Sequence, residues 1–182
     1  MYNNKFLSTK FKIGLMKMAL NKFSKSKTVC MHFSQQRKRH PDPLLYLNNE
    51  PIQIVKETKF LVIIFDSKLT FIPHLKYLKA KCLKALNLLR VVAHTDCGAE
   101  YTALMRIYTS CIRSKLDYGS VVYGSGRKSY LQVLDPIHNQ ALRLCLGAYH
   151  TSPCQSLYAE TNELSLNLRR KKLSMNYTLK LN

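Results

Sequence analysis

A change of hydrophobic period at Phe71 constrains this chain more than any other feature. Beyond it, Leu75, Leu78, Cys82, Ala85, Leu89 and Val92 recur at spacings of 3, 4, 3, 4 and 3. That rhythm draws one apolar stripe along a long helix, and the stripe must pack against something. Before it the pattern is that of strands. Thr28–Phe33 is rich in β-branched and aromatic residues. Leu44–Leu47 and Ile52–Val55, joined through Asn48-Asn49, read as a hairpin. Lys59–Phe65, taken by itself, reads as one continuous apolar strand buried on both faces.

Further helices follow the first. Ala99–Arg113 places Leu104, Ile107, Tyr108 and Cys111 on one side, and Gly119 and Gly124 punctuate the link after it. Lys128–Leu146 is helical with a break at Asp135-Pro136, an N-cap followed by proline at the first helical position. Gly147 suits its end. Ser152-Pro153-Cys154-Gln155 reads as a capping box for a further helix, and Leu166–Leu179 is a basic helical tail. The fold class is therefore α+β, mostly α: a short β portion, then a helical bundle.

At 182 residues and 46% hydrophobic content, the chain is one domain or little more, with its own core. Its charge is the unusual quantity. Twenty-nine Lys and Arg against ten Asp and Glu leave +19, which asks for a polyanionic partner. Nucleic acid ranks first and an anionic membrane surface second. Lys76, Lys79, Lys81, Lys84 and Arg90 occupy the surface that the apolar stripe leaves, with no acid between Lys68 and Arg90. Arg37, Lys38 and Arg39, and Arg169 to Lys172, form two further basic clusters.

The longest apolar run, Phe60–Phe65, is too short to cross a bilayer, so no membrane partner is expected. Cys30, Cys82, Cys97, Cys111, Cys145 and Cys154 contain no C-x-x-C pair and sit mostly among apolar residues. A reduced, intracellular protein is expected, nuclear or cytoplasmic. Cys145, His150 and Cys154 have C-x4-H-x3-C spacing but lack a fourth ligand, so no metal site is expected.

Two-metal phosphoryl-transfer chemistry needs carboxylates held close together around two divalent ions. Asp42, Asp66, Asp96, Asp117 and Asp135 are all isolated. Asp42 falls in a turn, Asp66 at a strand end and Asp135 at a helix start. There is no phosphate-binding G-x4-G-K-[ST] loop and no nucleophile elbow, so neither catalytic residues nor a small-molecule substrate are expected. Tyr118 and Tyr123 are of a kind that stacks on bases, although core or turn packing is the commoner role.

Longer phrases add a kinship. KFLVIIFDSKLTF (Lys59–Phe71) is followed by HLKYLKAKCLKALNLLRVVAHT (His74–Thr95). Then come IRSKLDYGSVVYGSGRKSYLQVLDPIHNQALRLCLGAYHTSP (Ile112–Pro153) and SLYAETNELSLNLRR (Ser156–Arg170). In that order they resemble the reverse transcriptase of jockey-like non-LTR retrotransposons, in the stretch after the polymerase active site. The resemblance implies a basic segment unrelated to the family at 1–24 and the end of the palm at 25–71. It implies thumb-like helices at 72–125 and a helical connector with a basic tail at 126–182.

NKFSKSKT (Asn21–Thr28) is similar to the segment beside the incoming nucleotide, which singles out Lys27. KFLVIIFD (Lys59–Asp66) is similar to the primer-grip hairpin, which implies that Lys59, Phe60 and Leu61 bear on the primer end. Val62 stands where the family usually has glycine. Lys76, Lys79, Lys84 and Arg90 would then contact phosphates, and an RNA/DNA hybrid or duplex would be the partner. The catalytic aspartates of such enzymes are missing here. The resemblance thus implies a fragment inactive alone, with Mg2+ needed only by the intact parent. The alternatives are a basic helical nucleic-acid-binding or interaction protein with a host role, or a pseudogene product without function. Strands cut off from a palm sheet would expose apolar edges, so the helical part is expected to fold better alone than the strand part.

Overall fold

A computed structural model describes residues 28–34, 43–47, 49–94 and 98–181, and the chain divides into two compact units. It is mostly helical with a few short strands, which agrees with the α+β, mostly α expectation.

The smaller unit, described over 28–32, 43–47 and 49–56, holds four two-residue strands: β1 (Val29–Cys30), β2 (Tyr46–Leu47), β3 (Glu50–Pro51) and β4 (Gln53–Ile54). The expected strand over Thr28–Phe33 is thus reduced to β1. The expected hairpin forms at its turn, with Tyr46 opposite Pro51 and Leu47 opposite Glu50. Its second arm does not continue. Pro51 has no N–H for a ladder, and Gln53–Ile54 pairs in parallel with Val29–Cys30 instead.

The larger unit includes Phe33, Ser34 and everything described from Glu57 on. It opens with a hairpin, β5 (Glu57–Phe60) and β6 (Ile63–Asp66), with Phe60 opposite Ile63 and Glu57 opposite Asp66. The continuous, doubly buried strand over Lys59–Phe65 is therefore corrected. The apolar run folds back on itself at Leu61-Val62, and Phe60 and Leu61 are 62% and 68% exposed. Only β6 turns an apolar side chain fully inward, at Ile63.

Asp66 prepares the first long helix, α1 (Ile72–Val92). Its carboxylate accepts hydrogen bonds from Thr70 N (3.0 Å), Thr70 Oγ1 (2.9 Å) and Phe71 N (2.7 Å). Burial disfavours the charge, yet these bonds outweigh it and hold the carboxyl below its ordinary range. A negative charge at a helix start also complements the helix dipole. The expected stripe is buried over Leu75, Leu78, Cys82, Ala85 and Leu89, joined by His74 and Leu86.

The second helical rod outruns the expected Ala99–Arg113. α2 (Tyr101–Tyr108) passes through a π-helical turn at Thr109–Arg113 into α3 (Ser114–Asp117). Its buried residues, Leu104, Tyr108, Ile112 and Leu116, recur every fourth position. In a regular helix each such step drifts by about 40°, so the last would lie about 120° off the first. The wider π turn takes up that drift.

After Gly119 come α4 (Ser120–Tyr123), α5 (Lys128–Leu131), a 3-10 turn (Gln132–Leu134) and α6 (Asp135–Leu146). Asp135 does not cap α6 as expected. It is already helical (φ −60°, ψ −40°), because the 3-10 turn delivers the chain in helical conformation. Gly147 ends α6 at φ 62°, as expected. The capping box at Ser152 is also corrected. α7 (Cys154–Thr161) starts after Pro153 with no side-chain cap, and the Ser152 carbonyl receives Arg143 Nη2 at 2.9 Å. α8 (Leu166–Leu179) is anchored at its start by buried Leu166 and by Arg169, which grips the Asp117 carboxylate at 2.7 and 3.2 Å. Arg113 pairs with Glu163 nearby.

Candidate nucleic-acid interface

Two residues close the β5–β6 hairpin, and both have left-handed backbones: Leu61 at φ 45° and Val62 at φ 70°. Paired positive φ is the signature of the mirror-image turns that match strand twist, but Asn and Gly are its normal occupants. The Tyr118 hydroxyl holds the turn by donating to the Leu61 carbonyl at 3.0 Å. At Gly119 (φ 67°) an added Cβ would sit 2.6 Å from Ile63 Cδ1, so the bare glycine backbone lies against β6.

Along α1, Tyr77, Lys81 and Lys84 fall at i, i+4 and i+7, one flank of the helix. Lys59 Nζ lies 5.1 Å and Lys81 Nζ 5.6 Å from the Tyr77 ring centroid. Beside them opens a cavity of about 340 Å³, lined by Val62 of the turn, by His74, Tyr77, Leu78 and Lys81 of α1, and by Ser114, Lys115 and Tyr118.

His74 is buried between rings, 5.2 Å from Tyr123 and 6.5 Å from Tyr77. Its Nδ1 receives the Ile64 N–H at 3.4 Å, while Nε2 has no partner. Burial lowers its pKa, so the ring is neutral near pH 7 with its proton on Nε2. No carboxylate lines the cavity. Asp66 is used by the loop before α1, Asp117 by Arg169 and Glu163 by Arg113.

The expected contact residues divide between places. Lys59, Phe60 and Leu61 are exposed on the hairpin, and Lys84 shares the Tyr77–Lys81 flank. Lys76, Lys79 and Arg90 are exposed on another flank of α1, Arg90 donating to Asn87 Oδ1 at 3.1 Å. Lys27 lies outside the described residues, as do Arg37, Lys38 and Arg39. Of the late basic cluster, Arg169 is a structural partner of Asp117, whereas Lys171 and Lys172 are exposed. Tyr123 is core, its hydroxyl donating to the Leu116 carbonyl, while Tyr118 is 52% exposed at the cavity.

Sequence reasoning passed over His74, Tyr77 and Lys115. The i, i+4 spacing of Tyr77 and Lys81 was a readable signal; nothing local linked Lys115 to α1.

The cysteines at the late Cys/His spacing serve elsewhere. Cys145 is buried, its thiol pushed up to about 12, and Cys154 Sγ receives Arg143 Nη2 at 3.6 Å. Among the described residues no group of three or more His, Cys, Asp or Glu is placed to hold a metal ion. Among them, too, no helix is long and apolar enough to cross a membrane.

Sequence comparison finds kinship with polymerases of transposable elements. The chain is 30% identical over 126 residues to a retrovirus-related Pol polyprotein from a type-1 retrotransposable element of Bradysia coprophila, covering 69% of this chain and 12% of that protein. It is 29% identical over 87 residues to a probable RNA-directed DNA polymerase from transposon BS of Drosophila melanogaster, covering 48% and 10%. A probable RNA-directed DNA polymerase from the transposon X-element of the same fly is 27% identical over 128 residues, covering 68% and 13%. The chain spans about a tenth of the length of these curated relatives. No protein-family model and no solved structure matches it.

Proposed function

We propose that this chain is part of a jockey-like non-LTR retrotransposon reverse transcriptase, from the region beyond the polymerase active site. In this reading the hairpin grips the primer end, the helices from α1 onward act as a thumb, and residues 126–182 form a connector. Its retained capacity is to bind a primer-template, RNA/DNA hybrid or duplex, inside the cell. The chain polymerises nothing alone, and Mg2+ belongs to the intact parent.

One observation carries the reading. Lys59, Lys81 and Lys115 gather with Tyr77 and Tyr118 beside an exposed apolar hairpin tip, and no carboxylate lines the cavity among them. Ammonium groups meet phosphates and aromatic faces meet sugars or bases, whatever the sequence.

The test is fluorescence anisotropy on a labelled RNA–DNA primer-template and on duplex DNA through a salt titration. Preference for the hybrid that survives physiological salt supports a working grip. Equal, weak binding that vanishes with salt reduces the chain to its +19 charge and sinks the proposal.

A further inference from the structure

We propose that the cavity between the hairpin turn, α1 and α3 is a pocket for one unpaired nucleotide, a nucleoside 5′-monophosphate unit held by base and phosphate together. This rests on the nucleic-acid reading above and adds what the site selects. At about 340 Å³ the cavity falls at the small end of ligand pockets. It suits one nucleotide and is far too small for a base-paired stack.

Three features of the lining favour that occupant. Tyr118 is half exposed, yet its hydroxyl is fixed on the Leu61 carbonyl, so its ring stands ready before any base arrives. Lys81 and Lys115 supply two ammonium groups with no lining carboxylate to neutralise them. His74 lines the same cavity with its Nδ1 committed to Ile64 N–H, which leaves Nε2–H as a buried donor without a partner. A buried donor left unmade is costly, and because Nε2 is itself covered, a small turn of the ring toward the cavity would be needed for an acceptor atom on a base or phosphate to remove that cost. A smooth duplex backbone engages the lysines alone. An unpaired nucleotide engages lysines, ring and imidazole at once.

The probe set is three labelled DNA duplexes followed by anisotropy: fully paired, with one bulged adenosine, and with an abasic bulge at the same place. Base–aromatic stacking predicts that the bulged adenosine binds about tenfold tighter than the paired duplex. The abasic bulge, which bends the backbone without offering a base, binds like the paired one. Tyr118→Leu removes the difference between bulged and paired duplexes, while Tyr118→Phe, which keeps the ring, retains most of it. Lys76→Ala, on the other flank of α1, lowers affinity for all three alike.

Adenosine monophosphate in excess abolishes the bulge preference if the pocket also accepts a free nucleotide. If only a nucleotide within a strand is held, the preference persists against both adenosine monophosphate and inorganic phosphate. Equal affinity for all three duplexes overturns the pocket while leaving general nucleic-acid binding intact. No binding to any of them, nor to the RNA–DNA primer-template, overturns both.

Discussion

The left-handed backbone at Val62 invites a test whose sign is diagnostic. At φ 70° an L-residue carries a penalty of about 1–2 kcal/mol that glycine escapes. Glycine loses about 0.5–1 kcal/mol to the greater freedom of its unfolded chain. Val62→Ala and Val62→Gly both delete the two γ-methyls of a half-exposed side chain and differ only in the Cβ, so their comparison isolates the backbone penalty that the Cβ imposes. Glycine should therefore be the more stable of the two by roughly 0.5–1 kcal/mol. In a domain of this size that is about 1–4 °C in Tm. Thr58, in β5 and outside the positive-φ set, is the control: there alanine should outlast glycine. Circular dichroism melts of the four variants decide it. Alanine matching or exceeding glycine at 62 would show that the turn relaxes to an ordinary backbone, and the strained hairpin would be wrong. The same Val62→Gly variant lets a sugar-phosphate approach the turn more closely, so it should also tighten primer-template binding.

Other outcomes follow from buried groups and from charge. Burial depresses His138 to about 4 and lowers His74, so protonation favours the unfolded chain, whose histidines titrate near 6.5. Stability should be full above pH 6.5 and fall between there and about 4, by on the order of 3 kcal/mol for His138. Urea midpoints that stay level across that window would refute it. Gly119→Ala combines a strained φ with a clash against Ile63 and should cost about 1–3 kcal/mol; an unchanged melting temperature contradicts the packing described. Lys81→Ala and Lys115→Ala should each reduce the slope of log affinity against log salt by about 1, and an unaltered slope removes that lysine from the interface.

The parts of the fold that were legible in the sequence are those with a single period. α1 shows its stripe because Leu75, Leu78, Cys82, Ala85 and Leu89 all face one core. The rod from Tyr101 to Asp117 hides its length because its buried residues step by four, and a 3.6-residue template loses them halfway. Phe60–Phe65 shows why a short apolar run is ambiguous: Leu-Val carries no turn chemistry, and only the family resemblance implied a hairpin there. Asp135 and Ser152 carry cap-forming side chains that tertiary structure leaves unused as caps. At the candidate site, Lys81 and Lys84 could be marked from charge, and Lys59 from the family resemblance. Lys115 and Tyr118 reach them only because α3 packs on α1, which no local pattern records.

The strained hairpin and the helices cannot be separate folding problems. Leu61, Val62, Leu69 and Phe71 all hold positive φ within eleven residues, and such backbones persist only where their surroundings impose them. Here the surroundings are helical. Gly119 lies against Ile63, Tyr118 holds the Leu61 carbonyl, His74 takes the Ile64 N–H, and Asp66 ties β6 to the start of α1. The apolar run at Lys59–Phe65 is thus a hairpin whose strands pair with each other and whose β6 packs on α1. Native-state hydrogen exchange should then find the β6 amides opening together with the middle of α1, at the global free energy. If β6 exchanges through a much cheaper local opening while α1 stays closed, the hairpin is an appendage. The geometry of the cavity it borders would then depend on a bound nucleic acid.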